Sequence, residues 1–176
     1  MPQRSNKQPE HSALKPLAMG TDLIYVPRIA RLEKKFGARF LKKLFTHDEI
    51  EILNQPSPSQ SNPLQSVLPA ELTQTVTNQL IDLLTEKQRH QWHQKIAARI
   101  ATKEAVSKAL SVGLNGLSWG QGIAWHSVEV VSTAKSPPQI VLSGRALELF
   151  QSGGYTQWQV SWSHDGDYVV STVLAH

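Results

Sequence analysis

The chain has no cysteine among its 176 residues. Disulfides and thiolate metal sites are therefore excluded, and the composition suits a reducing, cytoplasmic setting. It also has no apolar run near the ~20 residues that a membrane-spanning helix needs, so no membrane partner is expected. The first fifteen residues carry charges and turn formers but no apolar leader core, so export is not expected. There is no internal repeat, which excludes a stacked-repeat architecture. The net charge of +4 is small, so its placement matters more than its sum.

What remains is a chain long enough for one sizeable core and short for two. Residues 1–16 show no hydrophobic periodicity and are expected to form a mobile tail before a single domain over 17–176. Residues 17–24 form a short apolar run broken by Gly20 and Asp22, as in a strand that presents an acid. Pro27 suits the first turn of a following helix. Over residues 28–43, Ile29, Leu32, Phe36 and Phe40 recur at helical spacing, with Gly37 a candidate break. Thr46 and Glu49 have the spacing of a capping box, starting a helix through about Leu53. A Pro/Ser/Gln-rich insertion is expected at about 54–92, its most biased part being 55–69. A helical pattern resumes near Glu71 or Leu80 and runs to about Leu110. In it Ala97, Ala101, Ala105 and Ala109 form a row of small side chains that lets another backbone pack close. Gly113 and Gly116 are expected to end that helix. The last third predicts strands at 128–131, 140–142, 157–163 and 168–174, with a helix at 145–151. In the third of these strands Trp158, Val160 and Trp162 share one face. The mixture predicts an α+β fold.

Chemistry-bearing residues are few. Asp22 and Glu104 suit Mg²⁺, a hard ion often held by one or two carboxylates together with substrate phosphates; oxygen ligands suit Mn²⁺ equally. Lys108 lies one turn beyond Glu104 and can reach a phosphate on the same side, or simply pair with Glu104 along the helix. Arg99 and Lys103 form a second i, i+4 pair, which from spacing alone reads as a solvated helix edge. Ser163-His164-Asp165 does not imply a hydrolase triad, because adjacency in sequence does not build one. His90 and His93 have helical spacing but no third zinc ligand. Gly113-x-x-Gly116 is too short to mark a nucleotide loop. Residues 28–43 hold seven Lys/Arg against one acid, Glu33, a local net charge of +6. Such a stripe suits a solvated face, nucleic acid or an acidic protein.

Three blocks in order give the chain a resemblance to the holo-acyl-carrier-protein synthase family, the small trimeric type of 4'-phosphopantetheinyl transferase. They are Gly20-Thr21-Asp22-Leu23 with Arg28-Ile29; Phe45-Thr46-x-x-Glu49 with Arg99-x-x-x-Lys103-Glu104-Ala105-x-x-Lys108-Ala109; and Val160-Ser161-Trp162-Ser163-His164-Asp165. The resemblance implies the family fold, a small antiparallel sheet packed with helices. It implies transfer of the phosphopantetheine arm of coenzyme A to a serine of an apo acyl carrier protein, with release of 3',5'-ADP. By the match, Asp22 and Glu104 would bind the metal, and Glu104 and Lys108 would be catalytic. Arg99, Lys108, Gly113, Pro138 and His164 would lie near coenzyme A. Arg28, Arg31, Arg39 and Lys42 would dock an acidic carrier, and a homotrimer would place active sites between subunits.

The chain also departs from the family pattern. Ser111-Val112-Gly113 stands where Gly-Thr-Gly is usual, and a serine is strained if a left-handed turn is required there. The 54–92 stretch is longer than the family norm, as for a tolerated surface insertion. Two other functions fit the sequence: a same-fold transferase acting on a polyketide or peptide synthetase carrier domain, and a non-enzymatic basic binding module.

Overall fold

A computed structural model describes residues 16–55, 86–114, 122–132 and 136–176. The tail before residue 16, the 56–85 part of the expected insertion and Gly116 lie outside the described residues. The described elements run β1 (Ala18–Tyr25), α1 (Val26–Phe36), α2 (Arg39–Leu44), α3 (His47–Asn54) and α4 (Glu86–Ala109), then a 3₁₀ turn (Trp125–Ser127), β2 (Val128–Val131), β3 (Gln139–Leu142), α5 (Gly144–Ser152), β4 (Trp158–Asp165) and β5 (Tyr168–Ala175). The expected α+β architecture is present.

Two antiparallel sheets form, one of order β1-β5-β4 and a smaller β2-β3 pair. The alternation of β1 sends Met19, Thr21, Leu23 and Tyr25 outward and turns Gly20, Asp22 and Ile24 toward the helices. Register then builds rows across the inner face. Gly20, Val173 and Val160 form one row; Asp22, Ser171 and Trp162 form the next; Ile24, Val169 and His164 form the third.

The long helix α4 lies over this face, packed on β1 and β5. Its row of alanines is what lets it approach. A Cβ on Gly20 would overlap the Ala105 carbonyl oxygen and come within 2.8 Å of the Ala105 carbonyl carbon and 2.9 Å of Ala109 N. Glycine is therefore required where β1 meets α4. Beneath α4 the core divides into two clusters. One holds Ile24, Ile29, Phe40, Phe45, Trp92 and Ile96; the other holds Ala105, Val106, Leu114, Ile123, Phe150 and Val173.

Several local signals read from the sequence are met. Pro27 opens α1, and Gly37 closes it at φ 56, separating α1 from α2. Thr46 Oγ1 accepts from Glu49 N at 3.3 Å while Glu49 Oε2 accepts from Thr46 N at 2.9 Å, completing the capping box. The resumed helical pattern is met by α4, whose first turns, residues 86–92, include the buried Trp92. Helix α4 ends at Ala109, one residue before the expected end, and the left-handed residue after it is Ser111 at φ 56, before Gly113 is reached.

Candidate active site

Asp22 rises from β1 beside α4, and α4 presents Glu104 and Lys108 on consecutive turns toward it. Lys108 Nζ donates to Asp22 Oδ1 at 2.7 Å and to Thr21 O at 2.9 Å. Lys108 therefore pairs across to β1, joining residues 86 positions apart, rather than along its own helix. The Asp22 side chain is 16% exposed and that of Lys108 52%. Between Ile96 and Ser107, Glu104 is the one position of α4 that is not buried.

The electrostatics of this corner are those of two acids held close. Burial pushes the Glu104 carboxyl above its ordinary value, and the charge of Asp22 pushes it the same way. Lys108 and Arg28 pull it back. A carboxylate whose proton affinity is raised by a neighbouring acid is relieved when a cation is shared between the two. Both donors are hard oxygens and neither is fully buried, so the pair fits a Mg²⁺-type ion that keeps water and substrate oxygens in its shell. Elsewhere among the described residues, one cluster of three metal-type ligands occurs, the exposed His47, Asp48 and Glu51. It marks the start of α3, where acids suit the helix N-terminus.

Arg99 and Lys103 overturn the expectation of a solvated helix edge. Lys103 is 0% exposed and Arg99 3% exposed. Lys103 Nζ donates to Glu49 Oε2 at 2.7 Å and to Trp125 O at 3.0 Å, and it lies 5.2 Å from the Phe45 ring centroid. Glu49 Oε1 accepts from Val130 N at 3.0 Å. One buried carboxylate thus caps α3, pairs with α4 and ties down β2. Burial lowers the pKa of Lys103, and the charge of Glu49 opposes that shift. Arg99 donates to Lys95 O at 3.2 Å and Ser132 O at 3.5 Å, and its guanidinium lies 5.8 Å from the Trp162 ring centroid. Its Nε is buried without a partner.

The sequence signal for this network was the setting. Arg99 and Lys103 sit among Ala97, Ala98, Ile100 and Ala101, in a stretch buried on nearly all sides. Charges in such a stretch need partners.

The remaining expected site residues are dispersed. Gly113 O accepts from Ile123 N at 2.8 Å. Pro138 is half-buried just before β3, and His164 is exposed near the end of β4. His164 lies one row along and two strands across from Asp22, roughly 12 Å by strand spacing. His93 Nε2 lies 2.6 Å from Glu33 Oε2, a pair that joins α4 to α1 and accounts for the sole acid of the basic stripe. Arg28, Arg31, Arg39 and Lys42 are all exposed on α1 and α2. No helix among the described residues is long and apolar enough to cross a membrane.

Comparison with known proteins supplies the family. A family model described as the 4'-phosphopantetheinyl transferase superfamily matches residues 18–173. A holo-[acyl-carrier-protein] synthase of Gloeobacter violaceus is 32% identical over 155 residues, covering 88% of this chain and 89% of that protein. Its counterpart in Herpetosiphon aurantiacus is 30% identical over 159 residues, covering 90% and 97%. Among solved structures, the holo-[acyl-carrier-protein] synthase of Neisseria meningitidis superposes with a TM-score of 0.58 at 23% identity, covering 90% of this chain and 97% of that one. That of Helicobacter pylori, solved with coenzyme A, gives 0.57 at 22% identity, covering 90% and 99%. With the family model covering nearly the whole domain and the fold matching, the chain belongs to the 4'-phosphopantetheinyl transferase superfamily and is a transferase.

Proposed function

We propose that this chain moves the 4'-phosphopantetheine arm of coenzyme A onto a serine hydroxyl of an apo acyl carrier protein and releases 3',5'-ADP. The observation that carries the reading is the meeting of Asp22, Glu104 and Lys108 at one partly open corner. Curated relatives that span the domain at 30% identity or more are holo-[acyl-carrier-protein] synthases.

Asp22 and Glu104 would hold Mg²⁺ or Mn²⁺, which when bound neutralises pyrophosphate charge and polarises phosphate oxygens. The serine oxygen bonds to the β-phosphorus of coenzyme A as the bridging P–O bond to the α-phosphate breaks. The charge then collects on the departing 3',5'-ADP. Lys108, half exposed, can turn from Asp22 to a phosphate oxygen and offset that charge. The serine proton leaves as the new bond forms, and Glu104 or a water held beside it would take it.

The carrier would dock on Arg28, Arg31, Arg39 and Lys42. Glu33 points inward to His93, so the outward stripe is basic throughout. Arg28 acts electrostatically on Glu104, which places the head of the stripe at the reacting corner. An acidic partner fits that surface better than a polyanion of arbitrary sequence, because the stripe leads into the site.

Arg99, Gly113, Pro138 and His164 are assigned to the nucleotide end of coenzyme A by resemblance. By the same resemblance, Pro138 and His164 would face Asp22 and Glu104 across a subunit boundary. A homotrimer with sites between subunits would bring the two sets together. The outer sheet face supports such an assembly: Met19 is 67% exposed, Leu23 60%, Tyr168 51% and Tyr25 41%, a contiguous apolar surface.

The test is stoichiometry. Incubated with coenzyme A, Mg²⁺ and an apo acyl carrier protein, the chain should release one 3',5'-ADP per carrier modified, and none with EDTA. Release without carrier modification, or transfer indifferent to EDTA, would overturn the reading.

A further inference from the structure

Thr102 lies on α4 two residues before Glu104, wholly buried. Its hydroxyl has one proton and two lone pairs. Oγ1 is 2.8 Å from Ala98 O, 2.8 Å from Ser171 Oγ and 2.6 Å from Trp162 Nε1. A carbonyl only accepts and an indole N–H only donates, so the roles are forced. Thr102 donates to Ala98 O and accepts from both Trp162 and Ser171, with every valence used.

Those two partners share a row with Asp22: Asp22 pairs with Ser171, and Ser171 with Trp162. Thr21 Oγ1 donates to Ser171 O at 3.0 Å, and Thr21 O accepts from Lys108 Nζ at 2.9 Å. A polar chain therefore runs from β4 through α4 and β5 to the Lys108–Asp22 pair. The neighbouring residues of α4 that pack toward the sheet, Ala98, Ala101, Ala105 and Ala109, offer methyl groups with no directional preference. Thr102 supplies direction. A carboxylate about 6 Å from a helix axis moves about 1 Å when the helix turns by about 10°. Displacements of that size matter at a reacting centre.

We propose that Thr102 is a positioning residue. Its hydroxyl, held by Trp162 and Ser171, fixes the rotation of α4 over the row that carries Asp22 and so sets the approach of Glu104 to Asp22. The inference rests on the reading of Asp22 and Glu104 as metal ligands.

Mn²⁺ titration followed by electron paramagnetic resonance, with coenzyme A present and no carrier, reads the site without turnover. Thr102→Val keeps the shape and removes the hydroxyl. It should weaken Mn²⁺ binding about tenfold or more, the order of loss seen when a metal ligand loses its orientation. Thr102→Ser should restore binding to within about threefold of the wild type. Leu53→Ala, a core cavity in α3 outside this chain of bonds, should lower stability and leave Mn²⁺ affinity unchanged. Should Thr102→Val not fold, Ser171→Ala removes one of the same bonds and should weaken binding in the same direction. Thr102→Val within twofold of the wild type would overturn the proposal, and so would an equal loss in Leu53→Ala. If Asp22→Asn binds Mn²⁺ as well as the wild type, the metal reading itself fails and takes this inference with it.

Discussion

Replacing Lys103 by methionine retains most of the side-chain volume and strands the Glu49 carboxylate. Both side chains are 0% exposed, so no water is at hand to take the ammonium's place. The carboxylate keeps its bonds from Thr46 N and Val130 N and loses the 2.7 Å charged donor, while Trp125 O loses a donor of its own. Removing one partner of a buried ion pair costs about 3–5 kcal/mol. Total stability for such a domain is about 5–15 kcal/mol, so the loss is a large share of it. At about 2–4 °C per kcal/mol, Tm should fall by roughly 6–20 °C. The double variant Glu49→Gln/Lys103→Met removes both charges and should recover most of the loss, to within about 2 kcal/mol of the wild type. Urea unfolding followed by circular dichroism measures all three proteins, and an unchanged slope shows that the comparison is of stability alone. A loss below about 1 kcal/mol in Lys103→Met would refute the reasoning, because that is what an exposed pair gives. A double variant no better than the single would show that the stranded charge is not the cause.

Three further outcomes are expected. Burial and Asp22 raise the pKa of Glu104, so the folded state holds that proton more tightly than the unfolded chain does. The contribution of this group is therefore most favourable below the ordinary value of 4.5 and is lost as pH rises through the raised value. Without metal, Glu104→Gln should then melt above the wild type at neutral pH, with the gap closing in acid; a wild type that melts higher at pH 7 in EDTA would contradict this. Gly20→Ala forces a methyl into the Ala105 backbone and should destabilise by about 3 kcal/mol or more, read by thermal unfolding. Arg28→Glu with Arg39→Glu should raise the KM for carrier protein about tenfold, since both side chains are exposed on the outward stripe; an unchanged KM would remove the docking assignment.

The parts of the fold that were legible from sequence are those written in local code. Thr46 and Glu49 stand three residues apart, so the capping box is visible. The alternation of Trp158, Val160 and Trp162 fixes which face of β4 turns inward, and the alanine row announces a close backbone, which proves to be Gly20 of β1. The second role of Glu49 was not legible, because its partner Lys103 is 54 residues away and no local pattern links them. An Arg–Lys pair at i, i+4 looks the same on a wet face and in a core; only the alanines around it hint at burial. The end of α4 falls one residue short of the expected Leu110, and a serine takes the left-handed turn there. Glycine is the usual left-handed residue, but Ser111 adopts φ 56 within two residues of the last helical turn. Asp22, Glu104 and Lys108 were singled out by residue type and by the family resemblance, and the fold brings Lys108 onto Asp22. The Trp162–Thr102–Ser171 chain was not, since hydroxyls in a helix and a strand carry no signal of pairing.

The central claim is that the Asp22, Glu104 and Lys108 corner performs the transfer. The most direct measurement is the intact mass of an apo acyl carrier protein after incubation with coenzyme A, Mg²⁺ and either the wild type or Glu104→Gln. The account predicts a gain of one phosphopantetheine arm with the wild type and none with the variant, although the variant remains folded. An equal gain from both proteins would contradict it.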